Sequence, residues 1–174
     1  MKWGKFRSAL LAAIVLSACG TKYVPVAFEA PREALKKQSS FYVMLPNNGR
    51  YGGTTYENSG EMTAQIVAKA LAVHSAQVWQ APFPQSLNAA LASARQANYS
   101  HVFQSTILNW EDRATEWSGI KDKLSVRFEV YEVQTGRLVS SLVTDASSSI
   151  WTLGGDHPQD LLASPAQSFV GGLF

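Results

Sequence analysis

Leu124, Val126, Phe128 and Val130 alternate strictly with Ser125, Arg127, Glu129 and Tyr131. Successive side chains of a strand point to opposite faces, so this pattern fixes a strand with one buried and one wetter face. Gln134-Thr135-Gly136 follows as a hairpin turn, its glycine suited to a left-handed backbone. Leu138 to Trp151 then reads as the returning strand, more polar toward its end. A hairpin of this kind needs further strands on its flank and helices over its apolar face.

The rest of the chain supplies them. Phe41 to Leu45 is a short apolar strand stopped by Pro46-Asn47-Asn48-Gly49. Asn58 with Glu61 three residues on has the form of a capping box. Met62, Ile66, Val67, Ala70, Leu71 and His74 mark one helical face up to Ser75. Gln77 to Gln80 is a strand, and Ser86 opens a helix with Leu87, Leu91 and Ala94 inward and Arg95 outward, ending near Asn98. His101 to Trp110 is a further strand, and a final helical region opens after Gly154-Gly155-Asp156-His157-Pro158.

The expected fold class is α/β (α+β), in the order β-α-β-α-β-β-β-α, a mixed sheet with helices packed on it. Helical crossovers make the first three strands parallel, and two antiparallel steps bring the fifth back to the same direction. The carboxyl ends of strands one, two, three and five therefore share one edge. That edge collects Arg50-Tyr51-Gly52-Gly53, Pro82-Phe83-Pro84, the Trp110–Gly119 loop and the Gly154–His157 turn. In open α/β sheets ligands bind at such edges.

The amino terminus carries a different signal. Lys2, Lys5 and Arg7 form a basic flank, Ser8 to Leu16 a short apolar core, and Leu16-Ser17-Ala18-Cys19-Gly20 closes it. This is the pattern of an export signal and not of a spanning helix. It resembles the lipobox of bacterial lipoproteins, which implies cleavage after residue 18 and a lipid on Cys19, the single cysteine. The resulting division is 1–18 signal peptide, 19–38 lipid-anchored tether and 39–174 one globular domain. Gly20 stands where an aspartate would resemble an inner-membrane retention signal, so the expected location is the outer membrane, facing the periplasm. Without Lys2, Lys5 and Arg7 the mature chain has twelve basic against thirteen acidic residues. A near-neutral chain gives no reason to expect nucleic acid as a partner.

R-Y-G-G-x-T-Y at Arg50–Tyr56, W-E-D-R-A-T-E-W-S-G at Trp110–Gly119 and G-G-D-H-P-Q-D-L-L at Gly154–Leu162 resemble a family of uncharacterised bacterial lipoproteins, a domain of unknown function. The resemblance covers nearly the whole mature chain and implies an anchored small domain with no assigned activity. The strand order also resembles the anticodon-binding-like fold of the TolB amino-terminal domain and of lipoprotein activators of wall synthases, an analogy of fold alone.

The candidate binding edge comprises Arg50, Tyr51, Trp110, Glu111, Asp112, Arg113, Glu116, Trp117, Asp156 and His157. Paired carboxylates with tryptophans suit a glycan-acting hydrolase. The plainer reading is that Arg113 pairs with an acid while the rings cover the core. Asp156-His157-x-x-Asp160 offers metal-ligand chemistry, but Asp156 before His157-Pro158 also fits a helix cap, the reading adopted. Gly52-Gly53 and Gly154-Gly155 match no phosphate loop, and no nucleophile motif is legible. The expectation is thus a binding or adaptor module with no catalytic residue, cofactor or metal. Its partners would be the membrane, through Cys19, and an envelope protein or glycan.

Overall fold

The computed structural model describes residues 22–31, 33–112, 121–148 and 157–174. Along the chain come β1 (Lys22–Glu29), β2 (Phe41–Val43), a small hairpin of β3 (Arg50–Tyr51) and β4 (Thr54–Thr55), and α1 (Ser59–Ala72). Then follow β5 (Val78–Gln80), α2 (Leu87–Gln96), β6 (His101–Glu111), β7 (Lys123–Glu132), β8 (Leu138–Ser147) and α3 (Pro158–Gly171). Among the described residues the main sheet has six strands, in the order β1-β8-β7-β6-β2-β5. The β2–β5 and β2–β6 pairs are parallel, while β6–β7, β7–β8 and β1–β8 are antiparallel. The mixed α/β architecture and strand directions expected from the crossovers are those observed.

Two cores form because helices lie on both faces. Leu124, Val126, Phe128 and Val130 point together into the larger one, each at most 2% exposed. They meet Val67 and Leu71 of α1 and Leu161, Leu162, Phe169 and Val170 of α3. Phe128 stacks on Phe169 at 5.7 Å and tilts against Phe103 at 5.8 Å. Leu91, read as inward-facing on its helix, belongs to a second cluster on the opposite face with Tyr42, Met44, Ala90, Ala94, Val102 and Val133. The reason is topological, since α2 crosses to the face that α1 and α3 leave open.

The stretch expected to be a tether is in part a strand. β1 runs antiparallel to β8 from Lys22↔Ser147 to Glu29↔Ser141, with a bulge between Pro25 and Ala27. Its backbone finds a partner on β8, which a sequence without buried alternation does not reveal. Among the described residues no helix is long and apolar enough to cross a membrane.

A second bulge decides the position of Trp110. The β6–β7 register shifts between Ile107 and Asn109, leaving Leu108 as the extra residue, 45% exposed. One extra residue inverts the inside–outside parity beyond it. Trp110 thereby sits opposite Leu124 and turns into the core, 1% exposed, although Ile107 three residues earlier faces the same way.

Asn58 has φ 65° and its side chain caps nothing. Instead Asn48 reaches over from the preceding loop, its Oδ1 accepting from Gly60 N–H at 3.0 Å. Gly60 has no room for a side chain there, since a Cβ would lie 2.4 Å from the Pro46 carbonyl oxygen. Ser86 does cap α2, accepting from Ala89 N–H at 3.3 Å. In α3 the cap is His157, one residue later than expected, with Pro158 in the first turn and Asp160 Oδ2 accepting from His157 N–H at 3.2 Å.

Candidate functional site

Three segments distant in sequence meet where β6 ends. Asp112 follows β6 directly, His157 opens α3, and Tyr56 lies between β4 and α1. The Tyr56 hydroxyl donates to the Asp112 main-chain oxygen at 3.3 Å, and the His157 imidazole Nδ1 lies 3.4 Å from Asp112 Oδ1. The His157 and Asp112 side chains keep 48% and 24% of their exposure, so a partner can reach both. Asp112 and Asp160 both sit at the amino end of α3, where the helix dipole favours negative charge.

The small β3–β4 hairpin flanks this cluster. Its turn holds Gly52 and Gly53 at φ 55° and 87°, values a side chain would strain. β3 packs against β6, and Gly49 just before it touches Trp110, whose Cβ would be 2.5 Å from a Cβ at position 49. Tyr56 N–H donates to the Gly49 carbonyl at 3.0 Å, which fixes the ring's approach to Asp112. Glycine at 49 is therefore what lets the hairpin lie close enough for Tyr56 to reach.

Of the residues expected at the edge, Tyr51 is 40% exposed. Arg50 is exposed and directs its Nε to Thr55 Oγ1 across the hairpin at 3.1 Å. Trp110 and Glu111 are buried, at 1% and 2% exposure, the tryptophan as a core residue and not a lid. Arg113, Glu116, Trp117 and Asp156 lie outside the described residues, as does Cys19. A glycosidase needs two carboxylates that reach a bound sugar; of the three in this stretch Glu111 is buried, the Asp112 side chain is 24% exposed, and Glu116 lies outside the described residues. Among the described residues no group of three His, Cys, Asp or Glu side chains converges as metal ligands would.

The sequence reading missed Tyr56, Asn48 and Gly49. Tyr56 lay inside the R-Y-G-G-x-T-Y motif, and its place in that motif was the one available signal. The other two histidines hold structure. His74 stacks on Phe174 at 4.9 Å, and His101 stacks on Phe41 at 5.4 Å while its Nδ1 meets Ser100 Oγ at 2.8 Å. Burial holds the His101 pKa below its ordinary value, against the smaller opposing pull of Glu132.

This arrangement defines a small mixed-sheet α/β domain with a polar cluster at one sheet edge. The chain belongs to the family described as domain of unknown function (DUF4823), matched over residues 33–173. Its fold is similar to that of the PelC dodecamer from Paraburkholderia phytofirmans, at 20% identity and a TM-score of 0.64, covering 87% of this chain and 94% of that one. It is also similar to protein XCC0632 from Xanthomonas campestris, at 15% identity and a TM-score of 0.52, covering 82% and 88%. The LpoB C-terminal domain from Salmonella enterica overlays in part, with 16% identity, a TM-score of 0.35 and coverage of 60% and 79%. None of the curated proteins matches the chain.

Proposed function

We propose that this protein is a lipid-anchored, periplasm-facing outer-membrane lipoprotein that serves as a binding or adaptor module through the edge where β6 ends. The observation that carries the binding reading is the meeting of Tyr56, Asp112 and His157 from three separate segments, with imidazole and carboxylate still open to solvent. Solvated polar groups held in place by folded elements lose little freedom on binding, and such preorganisation favours recognition. An envelope protein or glycan is the partner class. The anchor half rests on the Lys2-to-Cys19 pattern.

The experiment has two arms. Wild type and an Asp112→Ala/His157→Ala variant are compared for capture of envelope proteins and for sedimentation with purified peptidoglycan. Loss of binding at an unchanged melting temperature is the expected result, and undiminished binding refutes the edge. Palmitate labelling of wild type and Cys19→Ser tests the anchor, and equal incorporation in both removes it.

A further inference from the structure

We propose that β1 seats the domain edge-on against the lipid bilayer, with Val24, Val26 and Phe28 in the interface. This deepens the anchor reading and rests on it. The three side chains are 62%, 60% and 57% exposed on a strand that pairs only with β8 among the described strands. Exposed apolar side chains clustered on so short a stretch mark a contact surface, whereas isolated ones need no explanation.

The length of chain before β1 selects the occupant. Lys22 opens the strand only three residues after Cys19, and three residues span about 10 Å at full extension. A lipid on Cys19 therefore holds the start of β1 at the membrane surface, with no slack for the domain to stand away. The apolar residues come next, at positions 24, 26 and 28.

The geometry selects the approach. Val24 is level with Asp145 and Phe28 with Leu142, and the bulge between Pro25 and Ala27 sets them on opposite faces of the sheet. A flat surface meets both only by coming at the edge. Pairing with a strand of another chain is disfavoured there, because a proline and a bulge interrupt the edge. A bilayer interface requires no such pairing. Its headgroup region is wet enough to hydrate the outward N–H and C=O groups while the side chains reach the acyl boundary.

The test uses lipidated, full-length mature protein in phosphatidylcholine–phosphatidylglycerol vesicles, with and without brominated acyl chains. Val26→Cys carries an environment-sensitive fluorophore, and the lipid-bearing sulfur of Cys19 does not react with the label. The control carries it at Asn88→Cys, an exposed position on α2, which packs on β6 away from β1. Mass spectrometry verifies the diacylglycerol, and melting curves verify the fold of both variants. The expected result is a blue-shifted label at position 26 that brominated lipid quenches severalfold more than the label at 88. Equal quenching at both positions in a sample carrying the lipid overturns the seat and leaves the anchor standing. A blue shift at 26 that brominated lipid does not quench also overturns it, since protein then covers the edge. A mass lacking the diacylglycerol removes anchor and seat together.

Discussion

Replacing Gly49 by alanine adds one methyl group where the structure has no space. A Cβ there would lie 2.5 Å from Trp110 Cβ and 2.9 Å from Ile107 Cγ2. Neither neighbour is the far end of a flexible side chain. Trp110 Cβ moves only with the β6 backbone, and the ring beyond it is 1% exposed in a filled core. The hairpin must therefore lift off the sheet or the strand must shift. Overpacking of this kind costs roughly 1–3 kcal/mol, and the rigidity of both neighbours places Gly49→Ala in the upper half of that range. For a domain of this size the loss corresponds to a fall in melting temperature of about 5–10 °C. Gly171→Ala is the matched control, because nothing lies within 4 Å of the added atom at the end of α3. There the better helix former should stabilise by a few tenths of a kcal/mol, within the range of about 1 kcal/mol that separates alanine from glycine in helices. Urea unfolding followed by circular dichroism measures both. A Gly49→Ala protein within about 0.5 kcal/mol of wild type, the scatter of neutral surface changes, would show that the hairpin does not rest on Trp110.

The remaining predictions concern the core, the site and the pH response. Phe128→Ala should destabilise by about 3–5 kcal/mol, and combining it with Phe169→Ala should cost less than the sum, because the two rings stack on each other; additive losses in urea unfolding would contradict that contact. Tyr56→Phe should leave the melting temperature within about 2–4 °C of wild type but loosen the edge, read as faster amide exchange around Asp112; unchanged exchange would count against the hydrogen bond. Burial lowers the pKa of His101 in the folded state below its ordinary 6.5, so the unfolded chain binds the proton first. Stability from this residue is present above that value and declines as pH falls below it, through the folded-state pKa. His101→Phe should flatten this acid-side decline in melting temperature, and an unaltered pH profile would remove His101 as its source.

Local patterns were legible and pairings between distant segments were not. The alternation from Leu124 to Tyr131 reports the pleat directly, so the buried face of β7 could be named residue by residue. The crossover lengths gave the parallel set β2, β5 and β6 for the same reason. β1 escaped because an edge strand with both faces open carries no alternation, and Pro25 and Pro31 among scattered apolar residues, before the charged run Arg32 to Lys37, read as linker. Its partner β8 lies 125 residues away at the Lys22↔Ser147 pair, beyond the reach of any spacing rule. Asn58 failed as a cap for a related reason. It sits at φ 65° with no side-chain cap bond, and the nearby donor at Gly60 is taken by Asn48 from across a loop.

The placement of Trp110 goes furthest into the candidate site. Strict period two from Phe103 and Ile107 would put position 110 on the outer face, at odds with the plainer reading that the rings cover the core. The single extra residue at Leu108 inverts that parity, and the ring enters the core beside Leu124. Glu111 falls on the face opposite Trp110 and is buried at the end of β6, and Asp112 is the first residue beyond the strand, its side chain 24% exposed. The bulge sets which face each of these residues takes. It also brings Asp112 within reach of His157 and Tyr56, which no spacing in the sequence connects. Bulges are common beside functional sites because one inserted residue re-aims everything after it. Here it turns Trp110 into the core, an anchor behind the partly exposed contact of Asp112 with His157.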